Sequence, residues 1–132
     1  MTNIVFILAI TLLAECAGEP WIGKVAVCDV IYNRSKERRQ TLVEVVKAYR
    51  QFSCWNSTKE MDKLAAAIAR GEHRNDYAWK DCLTLAKELA AGTWKPKSNS
   101  NHYYNPLKAS PSWGPKMRDQ FTIGNHLFGR LP

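Results

Sequence analysis

Two carboxylates close an otherwise uncharged stretch near the start of the chain. The run from Ile4 to Ala14 carries no charge, and Glu15 and Glu19 then follow in "LLAECAGEP". Ile4, Leu8, Leu12 and Glu15 stand at offsets of four, four and three, so a helix places them in one row. That row is apolar until the acid. Apolar neighbours disfavour a charged carboxylate. The negative end of a helix dipole acts in the same direction, and good helix design puts a cation in the last turn. A carboxyl that keeps its proton near neutral pH is what a general acid requires. Glu15 is therefore the first candidate for chemistry, set against a glutamate that only reaches solvent past a helix end. Glu19 precedes Pro20 and can serve the positive end of a second helix. Asp29 falls inside an apolar helical pattern, and pairing with Arg34 or a lysine accounts for it.

Flat side chains form a second group. Tyr103, Tyr104 and Trp113 lie in one long loop, and "QFSCW" adds Phe52 and Trp55. Aromatic faces beside amides suit sugar rings, and aromatics beside basic residues suit single-stranded nucleic acid. Some of these rings have a place in the core instead. The four cysteines form no C-x-x-C pair, and the three histidines are scattered, so no metal site is expected. No phosphate-binding glycine loop and no Ser-His-Asp or Cys-His arrangement occurs at recognisable spacing. The chemistry calls for no cofactor.

Helices must position these groups. An uncharged run of this length suits a buried core helix, since a membrane span needs ~20 apolar residues. Thr2 or Asn3 can cap it, Gly18 suits its end, and Pro20 suits the first turn of the next helix. A secretory signal lacks a basic residue before the apolar run, which leaves a retained membrane-targeting segment as the main rival reading. "PWIGKVAVCDVIYNRSK" reads as a second buried helix. "LVEVVKAYR" puts Leu42, Val45, Val46 and Tyr49 on one face. Two amphipathic helices follow over 58–70 and 76–91, ended by Gly71 and Gly92. Residues 93–116 read as a long loop, with a short hairpin around "NHYYN". A last short helix is expected before Gly124. This is a mostly α domain of five to six helices, 1–132, with little strand.

A chain of 132 residues makes one domain with a real core. Its net charge of +7 and pI near 9.4 favour an anionic partner: nucleic acid, lipid headgroups or cell-wall polymers. A basic nucleic-acid-binding module explains the charge and the aromatics but leaves Glu15 without a purpose. With no export signal, the thiols are expected to be reduced.

Four blocks carry a resemblance. "AECAGEPWIGKVAVCDVIYNR", "QFSCW", "HYYNPLKASPSW" and "IGNHLFG" occur in order from residue 14 to residue 129. Together they resemble the spore cortex-lytic enzyme and cell-wall hydrolase family. Cys16 departs from the small Ala or Ser usual in the first block. The resemblance implies a lysozyme-like, lytic-transglycosylase-like fold that cleaves peptidoglycan between N-acetylmuramic acid and N-acetylglucosamine. It implies Glu15 as the catalytic acid. Glu19, Gln51, Phe52, Tyr103, Tyr104, Asn105, Trp113 and His126 are implied as substrate-binding or supporting residues, with His126 equally suited to the core. A lytic transglycosylase needs no second carboxylate, whereas a muramidase does. The expected partners are glycan strands and anionic wall or outer-membrane polymers, with no specific nucleic acid, for a monomeric enzyme. Without an export signal or a wall-binding domain the chain resembles a phage lysin, made in the host cytoplasm and reaching the wall through a holin pore.

Overall fold

A computed structural model describes residues 3–48 and 52–132; Thr2, Tyr49 and Gln51, named above, lie outside the described residues. Five α-helices come first: α1 (Asn3–Cys16), α2 (Trp21–Arg38), α3 (Leu42–Lys47), α4 (Thr58–Ala69) and α5 (Tyr77–Ala90). A short 3-10 turn, Ser53–Asn56, precedes α4. Three strands follow, β1 (His102–Tyr104), β2 (Arg118–Ile123) and β3 (His126–Arg130).

The apolar run is the central helix. It is hydrophobic on every side, and such a helix belongs inside a protein. Its main neighbour is α5, with α2 and α3 also against it. Leu8 and Leu12 are fully buried, each worth ~1.5–3 kcal/mol over exposure. Ile4 is 49% exposed and Glu15 half-buried, so the expected row is fully buried only at Leu8 and Leu12. No described helix is long and apolar enough to cross a membrane. Thr41 caps α3 in a reciprocal capping box with Glu44. Helices α4 and α5 end just before Gly71 and Gly92, as expected.

The C-terminal segment corrects the sequence reading. Instead of a last helix, Arg118–Ile123 and His126–Arg130 form an antiparallel hairpin. Ile123 pairs with His126 across a two-residue Gly124–Asn125 turn. Gly-Asn between alternating hydrophobics is a hairpin signal, and Gly124 supplies the left-handed conformation at φ 57°. Phe121 and Phe128 are paired and stacked, with ring centroids 5.3 Å apart. "NHYYN" makes no local hairpin. Its strand, β1, pairs with β3, giving the order β1-β3-β2.

The segment before β1 is held by one side of α2. Asp29, only 1% exposed, accepts from Trp94 Nε1 (2.9 Å), Lys97 N (3.0 Å) and Ser98 N (3.1 Å). Burial pushes its carboxyl up, and these donors oppose the shift. Asp29 thus anchors a loop rather than pairing with Arg34 or a lysine. Asn33 Nδ2 donates to the Ser98 and Ser100 carbonyls, and Arg34 Nε to the Asn101 carbonyl at 2.7 Å. A polar stripe on a buried helix therefore fixes where β1 begins.

Candidate active site

Glu15 stands in the last turn of α1, half-buried, where two recesses meet. The larger, about 540 Å³, runs from Glu15 and Arg34 past His102, Tyr103 and Tyr104 to Lys108, Pro111 and Trp113. The smaller, about 240 Å³, runs from Glu15 past Gly18 and Glu19 to Asn125. Ala14, Glu15, Asn105, Lys108 and His126 line both, so the acid lies at the seam of one groove.

Strand alternation sorts the aromatic residues. Successive side chains point to opposite faces. His102 and Tyr104 flank Trp113, with centroids 5.0 and 5.5 Å from its ring. Tyr104 also packs so closely on Gly114 that a Cβ there would sit 2.8 Å from its hydroxyl. Tyr103 faces the other way, against His126 (5.0 Å) and Phe128 (5.5 Å) of β3 and Phe52 (6.2 Å). Asn105 turns the chain away from β1: its Oδ1 accepts from Leu107 N, and its carbonyl from Lys108 N and Ala109 N.

The groups around Glu15 are held neutral or buried. Burial, then the Glu15 charge, pushes the Tyr103 phenol well up. Burial, then Glu15 through its charge and a side-chain hydrogen bond, pushes the Cys54 thiol up. His126 is 8% exposed and pulled down by burial; Lys108 adds to this and Glu19 opposes it. Arg34, 4% exposed, is pulled down to about 10, chiefly by burial and Arg38, and stays charged at neutral pH.

Several expected residues take different places. Glu19 does not cap α2, which has no side-chain cap, and it borders only the smaller recess. It is 8% exposed and reaches across to the hairpin turn: Oε1 accepts from Asn125 N at 3.0 Å and lies 3.2 Å from His126 Nδ1. A Cβ on Gly124 would stand 2.5 Å from Glu19 Oε2. Phe52 offers no face to a ligand. It is 1% exposed, with Arg34 Cζ 5.3 Å from its ring centroid, and backs the site from the core. Trp55 is tied to α1, donating from Nε1 to Thr11 Oγ1 at 2.8 Å. Tyr104, Asn105, Trp113 and His126 line the groove with Glu15, while Gln51 is outside the described residues. Arg34, His102 and Lys108 line it too, although the sequence suggests Arg34 only as a counter-ion to Asp29 and does not single out the other two. The "NR" ending the first block was the available signal for Arg34. No group of His, Cys, Asp and Glu able to hold a metal ion occurs among the described residues.

Comparison with known proteins gives a consistent result. A family model described as Cell Wall Hydrolase matches residues 18–129, beginning just after Glu15. Spore cortex-lytic enzymes of Bacillus cereus and Oceanobacillus iheyensis are 30% and 28% identical over 96% of this chain. The chain spans only 44% and 41% of their lengths, less than half of the curated relatives it matches. Among solved structures, the catalytic domain of the germination-specific lytic transglycosylase SleB from Bacillus anthracis superimposes with a TM-score of 0.65 at 28% identity. That match covers 98% of this chain and 96% of the other. The SleB catalytic domain of Bacillus cereus gives 0.64 at 28% identity, covering 97% and 90%. The mostly helical, lytic-transglycosylase-like fold expected from the sequence is thereby shown, with a small sheet added to it.

Proposed function

The chain belongs to the cell wall hydrolase family, and from that premise we propose that it cleaves peptidoglycan between N-acetylmuramic acid and N-acetylglucosamine with Glu15 as the catalytic acid. One observation carries the reading: Glu15 sits at the seam of two adjoining recesses. A glycan strand laid along the groove puts one sugar in each, and the bond between them over the carboxyl. The Tyr104–Trp113 wall offers the larger recess a stacking surface.

The acid protonates the glycosidic oxygen as the bond breaks toward an oxocarbenium-like centre. A hydrolase then needs a second carboxylate to direct water or attack the sugar. Glu19 is the other acid along the described groove, and its carboxylate is committed to the hairpin turn. This favours a lytic transglycosylase, in which Glu15 returns as base and the 6-hydroxyl of muramic acid closes a 1,6-anhydro ring. The lysin role belongs to the same proposal: a monomer acting at the wall and drawn by its net charge of +7 to anionic polymers. Glu15→Gln keeps the shape and removes the proton. Digestion of purified peptidoglycan followed by mass spectrometry is expected to give anhydro-muropeptides from the wild type and none from the variant. Reducible muramic acid ends would instead identify a muramidase, and wild-type digestion by the variant would remove Glu15 from the mechanism.

A further inference from the structure

Proton donation leaves a negative charge on Glu15 in the wall of a groove, and some group must hold it there. Each element packed around the acid offers candidates. On α1, Cys16 is a buried thiol pushed up by burial, and neighbouring Cys82 of α5 is likewise pushed up to about 12. The Cys54 thiol and the Tyr103 phenol are also pushed up, so they remain neutral donors at working pH. His126 of β3 is pulled down and neutral. Glu19 has the wrong sign. Lys24 of α2 is buried, with its ammonium on the Glu19 carbonyl. Lys108 is exposed, where solvent screens its charge.

That leaves Arg34. It lines the larger recess with Glu15 and is 4% exposed. Its Nε is used by the Asn101 carbonyl and its plane lies near Phe52. Its Nη1 is buried and has no hydrogen-bond partner. Such an orphan in a native fold calls for a reason, and a partly unsatisfied buried guanidinium costs stability. We propose that Arg34 is a positioning residue for the acid step: its buried, fixed charge stabilises the Glu15 carboxylate left after the glycosidic oxygen takes the proton. It thereby sets the pH range over which Glu15 works. The inference rests on Glu15 being the acid. The bookkeeping closes: the C1–O electron pair stays on the leaving oxygen, which gains the Glu15 proton. The resulting carboxylate later receives the 6-hydroxyl proton as that oxygen bonds to C1. Arg34 neither gains nor loses a proton.

The test is the pH profile of peptidoglycan digestion for Arg34→Met, Arg34→Gln and Arg34→Lys, with thermal unfolding measured alongside. Met spans the same space over Phe52 without a charge, so it is expected to fold, with a midpoint lowered by the loss of the bond to the Asn101 carbonyl. Without the cation, Glu15 holds its proton to higher pH. The alkaline limb should therefore move up, by about half a pH unit to one unit, since burial, Arg38, Tyr103 and Glu37 all bear on Arg34 more than Glu15 does. The plateau rate should fall at least ~10-fold, since the anion formed in the acid step is less stable. Arg34→Lys should bring the limb back toward wild type. Folded Met or Gln variants with an unmoved limb would overturn the proposal, as would failure of both to fold, which assigns Arg34 to structure. Glu15→Gln separates the two readings: an active Glu15→Gln protein removes the acid itself, whatever Arg34 does.

Discussion

Glu19 decides between the two glycosidase mechanisms, and its environment lets the consequence of changing it be estimated. Its Oε1 accepts the Asn125 amide at 3.0 Å, with the side chain almost wholly covered. A hydrogen bond to a charged group contributes ~1.5–3 kcal/mol, and a neutral one ~0.5–1.5 kcal/mol. Gln retains an acceptor oxygen and loses only the charge assistance, so Glu19→Gln should cost ~1 kcal/mol. Glu19→Ala removes the acceptor and buried methylene surface, worth ~0.8 kcal/mol per CH₂. Asn125 is itself exposed, so water replaces part of the lost bond, and the total should be ~2 kcal/mol. For a domain of this size each kcal/mol lowers the midpoint by ~3–5 °C. The expected falls are therefore ~3–5 °C for Gln and ~6–10 °C for Ala. Both proteins should still release anhydro-muropeptides below their midpoints, more slowly if the turn shifts His126. Differential scanning calorimetry and mass spectrometry on the same preparations check both halves. A Glu19→Gln protein with a wild-type midpoint and no activity would refute the reasoning and make Glu19 the second carboxylate.

Three further outcomes are expected. Trp113→Ala should slow digestion far more than it lowers the thermal midpoint, because Trp113 lines the groove and is only half-buried; chief loss of stability would return it to the core. His102 is pulled down to about 4, by burial first and then by Arg34 and Arg38, and His126 is also pulled down. The unfolded chain takes up these protons near pH 6.5 while the folded one resists. Stability is thus full above that pH and is lost as pH falls from about 6.5 toward 4. Melts across that range should show the slope, and His102→Phe should flatten part of it. Activity on whole wall should fall as salt rises, since at 1 M screening limits surface charge to ~3 Å; a flat profile would take the net charge out of substrate attraction.

The helical half of the fold was legible because its signals are local. An uncharged run, the shared face of Leu42, Val45 and Val46, and the glycines after α4 and α5 each mark their own element. The sheet was not. Its strands are short, β1 is joined to β3 across more than twenty residues, and the aromatic content of 102–128 suits a loop or a core equally well. Asp29 was mis-assigned for a related reason. An acid on a helix suggests a cation one turn away, but its donors are two backbone amides, an indole and a serine hydroxyl from a loop 65 to 69 residues later. Phe52 and Trp55 read as a binding face because sequence shows ring type and not direction. Arg34 was read as a counter-ion and is instead part of the groove.

The acids of the first block end in three settings, and the corner between α1 and α2 is the cause. Had the helix continued, Glu15 and Glu19 would share a face one turn apart, the spacing that makes a carboxylate pair plausible. The helix stops at Cys16, and Glu19 N returns to the Cys16 carbonyl in a turn. Lys24, buried on the next helix, donates to the Glu19 carbonyl and ties that corner down. Glu19 is rotated off the row that Glu15 ends and points to Asn125 and His126. Gly23 keeps the helix close there: a Cβ would lie 3.2 Å from Glu19 Cβ and 3.4 Å from Ile123 Cγ2. The second acid is thus used to dock the hairpin, and the hairpin carries the strand that holds Tyr103 and Tyr104 opposite Glu15. On the proposed mechanism the two carboxylates cooperate by position rather than by chemistry, with Glu19 building the wall of the groove in which Glu15 would act.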